Sequence, residues 1–123
     1  MSLQTVKKQM VKALISQAKN GDLPKYLVEE LETDYPFTVS KLTEDDGSTR
    51  LSINEVDIDV TVNGETLEEA AKILDEDLKE YVQEYCDNLD EYLDSQRDSE
   101  YLYILRVLDA VVRNKEIKFV LKK

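Results

Sequence analysis

An α+β fold, built on a small antiparallel sheet with helices on one face, is what this sequence predicts, and three observations predict it. Stretches 37–43, 50–54 and 56–62 alternate apolar and polar residues, the period of half-buried strands. Asp46-Gly47 separates the first two and is a hairpin dipeptide. The run Asn63-Gly64-Glu65-Thr66-Leu67-Glu68-Glu69-Ala70-Ala71 then leads from strand into helix. There Thr66 can accept from the amide of Glu69 while Glu69 reaches back to the amide of Thr66, a capping box. Glu68 and Glu69 suit the positive end of the helix dipole, and Gly64 is expected to turn the chain by taking positive φ.

The elements follow in order. Leu3, Val6, Met10, Leu14 and Ala18 recur at helical spacing, and Asn20-Gly21 supplies the stop. This first helix is basic: Lys7, Lys8, Lys12 and Lys19 meet no acid before Asp22. Asp22-Leu23-Pro24 opens a shorter helix through Tyr26, Leu27 and Leu31, with Pro24 near the first turn, where its missing N–H does least harm. Tyr35-Pro36 ends it. Leu51 and Ile53 have one parity, and Val56, Ile58, Val60 and Val62 the other. A bulge or a tight turn near Asn54-Glu55 accounts for the slip, and the turn, which we favour, makes 56–62 a third strand.

From Thr66 to about Ser95, the residues Leu67, Ala71, Leu74, Leu78, Tyr81 or Val82, Tyr85, Leu89 and Tyr92 mark one apolar stripe. Unbroken, that helix would run roughly 43 Å at about 1.5 Å per residue. After a polar break at 94–99, Leu105, Leu108 and Val112 lie on one side of another helix over 101–113. Ile117 to Leu121 reads as a closing strand. The expected order is two N-terminal helices, a three-strand meander, two helices and a closing strand. We expect a single domain over 1–123, with 1–34 a helical N-terminal extension and 35–121 the αβ core.

Composition narrows the function. With 123 residues and 41% hydrophobic content the chain can bury a core without disulfide staples. The formal charge of −11 argues against general nucleic-acid binding, which draws its affinity from Lys and Arg on phosphates. It favours a cationic partner or simple solubility. Residues 66–100 hold thirteen acids against Lys72, Lys79 and Arg97, a net charge of −10. The single Cys86 and the absence of a long apolar run predict a cytoplasmic protein with no membrane span.

Catalytic chemistry finds little support. The chain has no histidine, which removes Ser-His-Asp and Cys-His nucleophiles and the usual neutral-pH base. Its three glycines form no phosphate-cradling loop. Asp57 and Asp59, with Glu55 or Glu69, share a strand face and could hold Mg²⁺ in a nuclease. The wet face of a one-sided sheet demands the same polar residues, so no metal or other cofactor is expected. Thr43-Glu44-Asp45-Asp46-Gly47 lacks spaced calcium ligands and reads as a turn. Neighbouring acids disfavour the Cys86 thiolate.

Two features look outward. Asp75, Glu76, Glu80, Glu84, Asp87, Asp90, Glu91 and Asp94 form an acidic row opposite the apolar stripe, either a solvated face or a dock for a basic protein. Tyr81, Tyr85, Tyr92, Tyr101 and Tyr103 gather near the end of the same helix, as core or as interface.

The stretch Leu51-Ser52-Ile53-Asn54-Glu55-Val56-Asp57-Ile58, the run Asn63-Gly64-Glu65-Thr66-Leu67-Glu68-Glu69-Ala70, then Tyr81 and Tyr85, resemble the RelB N-terminal antitoxin family, itself similar to HicB-like antitoxins. Tyr103-Ile104-Leu105-Arg106-Val107-Leu108 looks like that family's Tyr-Val-Leu-Lys-Val-Leu run. The chain departs from the pattern with Asn54 where the family has Pro, and with Glu100, Tyr101 and Leu102 where it has His-Leu-Pro. The resemblance implies a non-enzymatic protein that binds and neutralises a toxin. Combined with the charge, it points to a basic, RNA-cleaving toxin, with Glu84, Asp87, Asp90 and Glu91 supplying the field and Tyr85 or Tyr92 the anchor. A homodimer formed through the closing strand or the first helix, with no toxin, is the alternative, because an exposed 117–121 edge would template pairing.

Overall fold

Helices α1 (Leu3–Lys19) and α2 (Lys25–Asp34) precede strands β1 (Phe37–Thr43), β2 (Thr49–Glu55) and β3 (Ile58–Gly64). Helices α3 (Leu67–Asp87), α4 (Leu89–Asp94) and α5 (Glu100–Val112) and strand β4 (Phe119–Leu121) complete the chain. The structure, a computed structural model, describes residues 3–55, 58–94 and 100–122.

Three strands form the expected antiparallel meander, and the sheet order is β3-β2-β1-β4. The closing strand joins parallel to β1, pairing Phe37 with Phe119 and Val39 with Leu121, so the sheet is mixed rather than purely antiparallel. A parallel return needs a long crossover, and α3 to α5 provide it. In the first hairpin Asp46 Oδ1 accepts from the Ser48 amide at 2.9 Å, and Gly47 takes φ 87°. The second hairpin pairs Glu55 with Ile58, a tight reversal where the parity slip required one. Val56 and Asp57 lie outside the described residues.

Phe37, Val39, Leu51, Ile53, Ile58 and Val62 are buried on one face of the sheet. The opposite face carries Ser40, Arg50, Asp59, Thr61 and Asn63 and is exposed. α3 lies over β2 and β3, and α5 reaches β1 through Tyr103, whose ring centroid is 5.4 Å from that of Phe37. α1 and α2 pack in turn on α5, so that Val11, Ile15, Ala18, Leu23 and Leu31 join the same cluster as the strand residues.

The apolar stripe of α1 is rotated from expectation. Val11, Ile15 and Ala18 are buried, whereas Val6 is 50% and Met10 46% exposed. Both stripes are apolar, and contact with α5 selects between them. The helix stops as predicted: Gly21 has φ 73°, and Asp22 N donates to Gln17 O at 2.8 Å, satisfying a terminal carbonyl.

Gly64 departs from its expected role. Its φ is not positive; instead a Cβ there would lie 2.5 Å from Ala70 N and 2.8 Å from Ala70 Cα. The glycine is needed because the end of β3 is pressed against the first turn of α3. The Thr66 cap forms, with Glu69 N donating to Thr66 Oγ1 at 3.1 Å, but Glu69 reaches back to the Glu65 amide, at 3.3 Å, rather than to Thr66.

The long acidic helix is two helices. α3 ends after 21 residues, about 32 Å at 1.5 Å per residue. At Asn88 the backbone takes φ −121° and ψ 36°, and its side-chain Nδ2 donates to Glu84 O at 3.1 Å. Asn88 O then accepts from Glu91 and Tyr92, starting α4. A short amide side chain that competes with the helical ladder explains the break.

Candidate functional site

The inner stripe of α3 is Ala70, Leu74, Leu78, Val82 and Tyr85, all buried. With that side fixed against the sheet, Glu76, Glu80, Glu84 and Asp87 face solvent. Between α3 and β3 runs a shallow groove lined by Val60, Asp77, Glu80, Tyr81 and Glu84. The Tyr81 hydroxyl donates to Glu100 Oε1, and Glu100 is itself fully buried, so this aromatic wall is pinned from within. Carboxylates at i, i+3 and i+7 along one helix side, beside a valine and a tyrosine, offer a cation both charge and apolar contact for its methylene stem.

The break at Asn88 turns α4 back onto α3. The Tyr92 ring lies 4.7 Å from that of Tyr85 and 6.4 Å from that of Tyr81, centroid to centroid. Among the residues expected to meet a partner, Glu84, Asp87 and Glu91 are exposed and Tyr92 is half-buried. Tyr85 is 0% exposed, a core residue on which Tyr92 rests. Asp87 accepts from Gln83 Nε2 at 3.2 Å.

Asp90 is met from another element: Lys12 Nζ stands 2.6 Å from its Oδ1. The hydrogen bond from Lys12, then its charge, hold the Asp90 carboxyl below the usual carboxylate range. Two lysines of the basic first helix thus face this acidic corner, with Lys8 adding its charge at longer range. Asp75 is also drawn out of the expected row. It accepts from Ile117 N at 2.9 Å and pairs with Lys79 at 2.8 Å, fastening α3 to the approach to β4.

Of the residues lining the groove between α3 and β3, the sequence singles out neither Val60 nor Asp77 and leaves Tyr81 open between core and interface. The signal was present, since Asp77, Glu80, Tyr81 and Glu84 follow the i, i+3, i+4, i+7 spacing of one helix face. Spacing alone does not choose between Tyr81 and Val82 for the core stripe, and the nearness of β3 is written in no local pattern.

Charge buried in α5 is structural. Asp109, 2% exposed, receives Arg113 Nε at 2.6 Å and Lys115 Nζ at 2.9 Å, and Lys115 also reaches Glu32 at 3.2 Å. Arg106 stands over the Phe37 ring at 5.0 Å and donates to Tyr35 O at 2.7 Å. These contacts clamp α2 and the 115–118 segment to α5 around a small cleft lined by Leu31, Arg106, Asp109 and Lys115. Burial is the main cause that pushes the Cys86 thiol up, with Asp87 a lesser one and Lys19 opposing.

Asp59 lies on the exposed sheet face, and Asp57, its expected metal-binding companion, lies outside the described residues. Among the described residues no group of His, Cys, Asp and Glu side chains is placed to hold a metal ion. Among them, too, no helix is long and apolar enough to cross a membrane.

Comparison with known proteins gives these features a family. A family profile for PHD-like proteins, described as antitoxins of toxin-antitoxin systems of the RelE/RelB kind, matches residues 2–122. Among solved structures, the chain resembles a crystallised protein from Syntrophomonas wolfei subsp. wolfei, described as the antitoxin part of a candidate toxin/antitoxin system. The two share 25% sequence identity at a TM-score of 0.59, covering 81% of this chain and 73% of that one. Comparison with curated proteins gives no match. With every residue from α1 to β4 inside the matched span, the chain belongs to the PHD-like family of RelE/RelB toxin-antitoxin antitoxins.

Proposed function

We propose that this antitoxin neutralises a basic, RNA-cleaving toxin by laying the acidic surface of α3 and α4 over the toxin's cationic face. The observation that carries the reading is the arrangement of Glu80, Glu84, Asp87 and Glu91 at the surface, with Tyr92 half-buried among them and supported by the core ring of Tyr85. A surface that binds RNA must itself be cationic to neutralise phosphates, so a carboxylate-rich cover competes for the same groups. Opposite charge steers encounter, and an aromatic at the centre contributes desolvated contact. Asp90 adds less than its neighbours, because Lys12 already neutralises it. No residue of the chain is assigned a chemical step.

The test starts with the chain as bait in a lysate of its source organism. A small basic protein should be retained at low salt in near-stoichiometric amount and released as salt rises. With that protein in hand, Glu84→Lys, Asp87→Lys and Glu91→Lys combined should slow association by about tenfold or more at low salt while leaving the unfolding midpoint nearly unchanged. An association rate indifferent to the three reversals would remove the electrostatic reading.

A further inference from the structure

The sheet has two edges, and they differ. β4 is three residues long and flanked by Lys118 and Lys122. Brevity and lysines are the usual protection of an edge against pairing. β3 is seven residues long, with the sequence Ile-Asp-Val-Thr-Val-Asn-Gly, and contains neither lysine nor proline.

The registers fix which of its backbone groups are open. Lys122 N donates to Val39 O, so Val39 directs its backbone groups toward β4. Val39 stands opposite Ile53, which therefore points away from β1 and toward β3, and Ile53 stands opposite Val60. Backbone direction alternates along a strand. Ile58, Val60 and Val62 thus bond β2, and Asp59, Thr61 and Asn63 turn their N–H and C=O groups to the open edge.

We propose that this β3 edge takes an extended, lysine- or arginine-rich strand of the cationic partner by strand addition. The proposal rests on the antitoxin reading above and names how its partner is held. Main-chain bonds to Asp59, Thr61 and Asn63 would supply affinity. Alternate side chains of the added strand, about 6.8 Å apart, would enter the groove where Asp77, Glu80 and Glu84 stand around Val60 and Tyr81. Those carboxylates select a basic occupant. They also disfavour a second copy of this chain, because pairing β3 with β3 would bring two acidic α3 faces together.

The probe is a capped seven-residue peptide alternating lysine and valine, compared with one carrying the same four lysines separated by prolines. The second has equal charge and no N–H groups at the spacer positions with which to pair. Amide exchange of the full chain, followed by NMR at low salt, should slow by about tenfold or more at Asp59, Thr61 and Asn63 with the lysine-valine peptide only. Thr61→Pro removes an outward N–H without removing a backbone bond to β2, and Thr61→Val, which loses only the 3.1 Å hydroxyl contact with Ser52 of β2, is its control. The proline variant alone should weaken that peptide about fivefold while leaving the proline peptide unaffected.

Binding of the lysine-valine peptide with unchanged exchange at the three amides would overturn strand addition and leave the acidic surface standing. Failure of both peptides to bind would overturn the acidic surface as well. Outward amides already protected in the free chain, with two copies by light scattering, would assign the edge to self-association and overturn the proposal.

Discussion

The carboxylates of α5 and those of α3 are the same chemical groups put to opposite uses. Asp109 and Glu100 are buried, and each meets a polar partner from the structure around it: Arg113 and Lys115 for the first, Tyr81 for the second. Glu76, Glu80 and Glu84 project into solvent from a helix whose other side is core. A buried charge must be matched inside the molecule, and removing one side of the match strands the other. A surface charge is already matched by water, so it contributes little to folding and stays available to a partner. On the function proposed above, stability and recognition fall to different acids, and a substitution should affect one without the other.

The largest effect that would break this contrast is at Asp109. Asp109→Ala removes the carboxylate that holds Arg113 and Lys115, and it should lower the unfolding free energy by about 3 kcal/mol. Glu84→Ala should stay within about 0.5 kcal/mol. Denaturant titrations of both proteins compare the two directly, and equal losses would erase the distinction.

A smaller effect appears in alkali. The hydrogen bond to Asp109, helped by that to Glu32, raises the Lys115 amine above the usual lysine value. A raised folded value means that the stabilisation is fully present below the ordinary lysine pKa and is lost as pH rises through the raised one. Lys115→Met should therefore flatten the alkaline limb of a stability-pH curve, by a modest amount because the amine is partly exposed.

The smallest effect lies at Asp90, whose carboxyl Lys12 holds low. Its contribution is present above the ordinary aspartate value and lost as pH falls through the lowered folded one. Asp90→Asn should change only the acid end of the curve, and only slightly, since both partners are exposed. A large acid shift in that variant would mean that this surface charge behaves like an interior one.

Much of the architecture was legible because local chemistry and global fold agree. The Thr66 cap, the Asp46-Gly47 hairpin and the Asn20-Gly21 stop each name a backbone geometry in a few adjacent residues, and each forms. What escaped depends on neighbours distant in sequence. Which stripe of α1 is buried was settled by α5, and the parallel pairing of β4 by the path of three helices. The break at Asn88 was hidden because its apolar spacing continues unbroken into Leu89 and Tyr92.

The site divides in the same way. Glu84, Asp87 and Glu91 could be placed on a wet face by helical spacing alone. Tyr85 could not be told from Tyr92 until the fold of α4 put one ring beneath the other. The groove at Val60 needed the register of β3 against α3, which no local pattern contains.

The contact at Gly64 has a mechanical side. Where a side chain would normally stand between strand and helix there is only backbone against backbone, with no deformable spacer to take up a displacement. A side chain at position 64 therefore could not be absorbed by a change of rotamer: either the end of β3 or the first turn of α3 would have to shift, so the joint between the sheet and the acidic helix is set by the absence of a single Cβ.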